Sequence, residues 1–222
     1  MGLPLKEIRR KPRVLDPSER ISEVLFGLIM VLTFTGSLSV AETGREDIRT
    51  MLVGALGCNL AWGVIDAVFY LMGNLAEKGR DLAIFLAVRT IADPREGQRL
   101  IAEALPPVIA AVIRQPELDA MHQRLQQLPE PAGPARLNGT DFRGAGGVFL
   151  LVFLSTFPVA VPFIVMQNSM AAMRVSNAVA VTMLFVAGAA YARVVGRSPW
   201  VLGAAMVALG GVLVALTIAL GG

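Results

Sequence analysis

Asp66 stands in the run Ile65-Asp66-Ala67-Val68-Phe69-Tyr70-Leu71-Met72, a carboxylate among residues that otherwise suit a lipid-facing helix. A carboxylate there can bind a cation, carry a proton or accept a structural hydrogen bond. Its insertion near the middle of a span costs about 3 kcal/mol, so one of these roles must hold it in place. Asn59, Gly63, Asp66 and Tyr70 recur at spacings of four, three and four, which gathers three polar side chains and a small residue on one helix face. That face is expected to look at protein or water. Asp66 then serves either a transport path or a structural hydrogen bond to Asn59 or a facing hydroxyl.

A second stripe precedes it. Glu23, Gly27, Met30, Thr33 and Ser37 fall on one side of a helix at spacings of four, three, three and four. Glycine allows a neighbouring helix to approach, while the hydroxyls and the thioether can line a narrow polar track. The plainer alternative has Thr33 and Ser37 bonding back to their own helix and Met30 filling a gap.

The elements that must carry these stripes follow from composition. The chain of 222 residues is 55% hydrophobic and 17% charged, with a mean hydropathy of +0.62. A hydrocarbon core about 30 Å thick needs about 20 helical residues, and five runs approach that length: 22–40, 51–73, 146–166, 175–195 and 199–220. The fold class expected is all-α, a polytopic membrane protein with five transmembrane helices and a small helical cytoplasmic insert between helices two and three. Its segments are a basic cytoplasmic stretch over 1–21, helices one and two over 22–73, the insert and linker over 74–145, and helices three to five over 146–222.

Orientation follows from Lys and Arg, which stay on the cytoplasmic side of short loops. With the N-terminus inside, 17 of the 20 basic residues are cytoplasmic, leaving Arg45, Arg49 and Arg174 on the other side with the C-terminus. The formal charge of +3 is therefore a topology signal and not a mark of nucleic-acid binding. A bacterial inner membrane is the expected location and the lipid bilayer the expected partner. Cys58, the one cysteine, has no partner within the chain and packs in helix two.

The insert reads as helical in pieces. Asp93-Pro94 provides a cap followed by proline, further starts follow Pro106-Pro107 and Pro116, and 128–139 is a proline- and glycine-punctuated linker. Glu77 and Asp81 stand one turn apart, as Asp119 and His122 nearly do, and either pair can offer ligands to a cation or form an ordinary solvated face. No phosphate-binding loop, dinucleotide fingerprint or nucleophile-base arrangement is present, so an enzyme is not expected. In helix three, Pro158 and Pro162 each remove a backbone hydrogen bond and are expected to kink or open the helix. Helices four and five are rich in Gly and Ala, as tight helix packing requires.

Taken together, the stretch Glu23–Ser39 resembles the first helix of the vacuolar iron transporter family, Phe153–Phe163 resembles its proline-containing third helix, and the Gly/Ala-rich end resembles its last two. The resemblance implies a homodimer that moves ferrous iron, manganese or a related divalent metal out of the cytoplasm in exchange for protons. It implies no permanently bound cofactor, the metal being substrate. The path residues expected are Asp66, Asn59, Met30, Thr33, Ser37, Glu23 and Tyr70, with Asp66, Glu77 and Asp81 as metal ligands. One departure stands out: Met30-Val31 occupies the place where the family carries Asp-Gly, and the glutamates of the insert are sparse. A non-transporting scaffold on the same fold and a carrier of a small organic solute are the alternatives.

Overall fold

The computed structural model describes Leu15 and residues 17–38 and 45–219, and among these the regular secondary structure is helical. The helices are α1 (Pro17–Leu38), α2 (Arg45–Thr90), α3 (Pro94–Ala104), α4 (Pro107–Ala110), α5 (Gln115–Gln127), α6 (Gly139–Ser155), α7 (Phe157–Val165), α8 (Ser169–Val194) and α9 (Pro199–Ala219). Contacts divide the chain into one unit made of residues up to Tyr70 and from Thr140 onward, and a second, Leu71–Gly139.

Four stretches among the described residues are long and apolar enough to cross a membrane: Leu52–Thr90, Gly139–Val165, Ser169–Val194 and Pro199–Leu216. The first of the five runs read from the sequence, 22–40, lies partly outside the described residues and is not among these four. The second run is longer than expected. Between Arg45 and Thr90 there is no proline to stop the helix, and at 1.5 Å per residue its 46 residues extend about 69 Å, twice the hydrocarbon thickness.

In the first unit, α8 is the central element and packs on α1, α7 and α9. Its buried Ala180, Leu184 and Ala187 join Leu25, Leu28, Val31 and Leu32 of α1 and Val159 of α7 in one core. Helix three is divided into α6 and α7 at Thr156, where Pro158 has no N–H to offer the carbonyl of Leu154. The carbonyls around the break find hydroxyl partners. Ser155 Oγ donates to Val152 O, Thr156 Oγ1 to Phe153 O and Ser176 Oγ, from α8, to Val159 O, each at 2.7 Å. Pro162 lies within α7, which continues to Val165.

The second unit has its own small core of Val88, Ile101 and Leu118, extended by Ile84, Leu100, Met121 and Leu125. Asp93 caps α3 by accepting from Arg95 N at 2.9 Å, and Pro94 opens the helix. Across the α3–α5 contact, Gln115 Nε2 donates to Gln98 Oε1 and Gln98 Nε2 to Asp119 Oδ1. His122 is buried against Gly97, 3.4 Å from Gln126 Nε2. Asp119 and His122 are thereby engaged in holding α3 to α5.

Candidate ion path

The polar face of α2 meets α6 residue by residue. Asn59 is 1% exposed and its Nδ2 donates to Val152 O at 3.5 Å. One turn on, Gly63 is buried against the carbonyl and ring of Phe149. At the other end the ring of Tyr70 lies where a side chain on Gly144 would be, so only glycine fits there. This antiparallel register sets Asp66 level with residues 145–148, in and just after the Gly-Ala-Gly-Gly segment 144–147. Of the glycines in this segment, Gly144 faces Tyr70 of α2 and Gly147 faces Leu15.

Helix α1 reaches the same neighbour. A Cβ on Gly27 would collide with Ser155 Oγ and stand 2.7 Å from Val152 O, so the α1–α6 crossing depends on the missing side chain. Phe26 and Trp62 meet edge to face, with centroids 5.5 Å apart, and tie α1 to α2. Glu23, half-buried one turn before Gly27, lies within electrostatic range of Asp66, and the two negative charges oppose each other. Neither Oδ2 of Asp66 nor Oδ1 of Asn59 is accessible, and neither has a hydrogen-bond partner among the described residues. Buried oxygens are normally paired, and leaving one unpaired costs about 1–3 kcal/mol, more when it is charged. A cation brought to this face would meet the unpartnered acceptor oxygens of Asp66 and Asn59.

The remaining sequence candidates are more scattered. Met30 is half-buried in α1. Thr33 and Ser37 belong to α1, but their side chains lie outside the described residues. Glu77 and Asp81 are exposed on α2. Among the described residues no three of His, Cys, Asp and Glu gather closely enough to hold a metal ion. Two features escaped the sequence reading because it began helix three at residue 146. The helix starts at Gly139, so Asp141, which is buried, sits in its first turn, and the tight segment 144–147 is helical. The run of small residues directly before an apolar stretch was the available signal.

A family model, that of the VIT family, matches residues 87–222, more than half of the chain. The chain belongs to the VIT family. No curated protein matches it. VIT membership, that of a transporter family and not an enzyme family, together with the long apolar helices makes this an integral membrane protein of metal-ion transporter type. It agrees with the resemblance carried by helix three and the Gly/Ala-rich end. Glu23, Asn59 and Asp66 all lie before the VIT match begins.

Proposed function

We propose that the chain exports a divalent metal of the ferrous iron or manganese class from the cytoplasm in exchange for protons, with Asp66 and Glu23 as the carboxylates of the path. The observation that supports this most directly is the buried, unpartnered Oδ2 of Asp66 on a polar face of a membrane helix, with Glu23 in electrostatic range. Two like charges in a low-dielectric setting repel, and a divalent cation relieves that repulsion while gaining oxygen ligands. Protons do the same one at a time, which gives a means of exchanging one species for the other. Asn59 extends the acceptor face by two turns, and Tyr70 flanks Asp66 on the other side.

In this reading α1, 22 residues and about 33 Å long, is the fifth span, entering with Glu23 near its start. The N-terminus is cytoplasmic and the C-terminus lies across a bacterial inner membrane, as the basic residues favour. The protein acts as a homodimer, so that a second copy completes the coordination that two carboxylates and an amide begin.

The test uses purified protein in liposomes containing a metal-sensitive dye, with ferrous iron, manganese, cobalt and zinc offered under an imposed proton gradient. Wild type is expected to show gradient-dependent uptake of at least one metal, and Asp66→Asn to lose at least ten-fold of it while remaining a folded dimer. Wild-type flux from Asp66→Asn would overturn the assignment. No uptake of any metal by folded wild type would favour the scaffold, or, if candidate solutes shift its melting where metals do not, the organic-solute carrier.

A further inference from the structure

A groove of about 260 Å³ opens between α1, α8 and α9, away from the Asp66 face. Its walls are Leu32, Val181, Leu184 and Val214, and Gly211 keeps one side low. A Cβ on Gly211 would meet nothing within 4 Å, so the space beside it is open. The volume falls just under the ~300–1,000 Å³ of pockets that enclose whole drug-sized molecules, and suits a segment of a chain-like one. Among these apolar surfaces stands one polar side chain, Asn177, which makes no hydrogen bond among the described residues.

An amide facing hydrocarbon has no water to satisfy it, and it costs free energy until something supplies an acceptor or donor. Asn177 is the ninth residue of α8, about 12 Å along a helix of about 39 Å. That helix exceeds the hydrocarbon core by about 9 Å, so the residue lies roughly 7 Å inside the boundary nearer Ser169. Helical side chains lean toward the N-terminus, which directs this amide back toward that boundary. The boundary is where the acyl esters of the bilayer's own lipids lie.

We infer that the α1–α8–α9 groove is a binding site for a membrane glycerolipid, one acyl chain lying along Leu32, Leu184 and Gly211 while its ester carbonyl accepts a hydrogen bond from Asn177 Nδ2. The inference needs only that α8 and α9 span the membrane, and stands or falls separately from metal transport. The chain supplies the apolar contact and the ester supplies the acceptor that the amide lacks. An ether-linked lipid with the same chains fills the groove equally well but offers no carbonyl.

The test is native mass spectrometry of the purified full chain after exchange into ester-linked or ether-linked phosphatidylglycerol of identical chain length. Wild type is expected to retain one lipid with at least a five-fold preference for the ester form. Asn177→Leu should retain both forms equally. Gly211→Leu, whose side chain enters open space on a helix, should fill the groove and lose the bound lipid while its thermal midpoint stays at the wild-type value. Equal retention of the two lipids by wild type would overturn the inference, as would undiminished retention by Gly211→Leu. A change of oligomeric state in either variant without a change in bound lipid would assign the groove to a second copy of the chain instead.

Discussion

Two polar contacts within the membrane helices differ in one respect. Around the break between α6 and α7, where α8 packs, the polar side chains find partners: Ser155, Thr156 and Ser176 each place a hydroxyl on a carbonyl at 2.7 Å. Where α2 meets α6, oxygens of Asn59 and Asp66 are buried and left without a partner among the described residues. Both contacts put polar atoms in an apolar medium, but only the first resolves the cost within the protein. The satisfied contact lies inside the stretch that matches the VIT family, and the unsatisfied side chains lie before it. The side chains completed within the protein thus fall in the matched stretch, and the incomplete ones are those that the proposed path would use.

The contrast breaks most severely if the helices that present the incomplete face are pushed apart. Gly27→Leu drives a side chain into Ser155 and the Val152 carbonyl, and overpacking of this kind costs about 3 kcal/mol. The thermal midpoint should fall by roughly 10 °C, read by tryptophan fluorescence in detergent, with flux lost alongside. An unchanged midpoint would mean that α1 does not cross α6 at Gly27.

A sharper variant is Asn59→Leu. It removes the orphaned oxygen and replaces it with an apolar group of similar volume, so the midpoint should hold or rise while flux falls about ten-fold. Loss of stability without a specific loss of flux would place Asn59 among the structural contacts, beside Ser176.

The sequence disclosed the polar face because a helical period is visible in the chain: Asn59, Gly63, Asp66 and Tyr70 do share one side of α2 and do meet a neighbouring helix. It could not disclose which helix that is. The partner is met through Gly144, 74 positions after Tyr70, and the expected start of helix three at 146 left that glycine outside the helix. Gly144 has meaning only once Tyr70 is packed on it. The break in helix three was legible from Pro158, whereas its repair by Ser176 was not, since a serine 17 residues distant gives no sign of the carbonyl it meets. Hydropathy located α8 and α9.

On the completed side, Ser176→Ala deletes the bond to Val159 O that ties α8 to α7. The cost is about 1–2 kcal/mol, visible as a small drop in midpoint, and flux per folded dimer should stay at the wild-type level. A selective fall in flux would mean that the break in helix three takes part in transport, and the line between the two contacts would have to be redrawn.

The smallest effect belongs to Glu77 and Asp81. Both are exposed on α2, so water and salt screen whatever attraction they exert on a cation. Glu77→Gln combined with Asp81→Asn should leave the midpoint within about 0.5 kcal/mol of wild type and flux at saturating metal within about two-fold. Any change should be confined to low metal and low salt, where a local negative charge raises the nearby cation concentration. Flux that collapses at saturating metal would give these two carboxylates a coordinating role equal to that of Asp66. Incomplete coordination would then extend along α2 beyond the polar side that meets α6, and burial would no longer separate the residues that handle the ion from those that merely attract it.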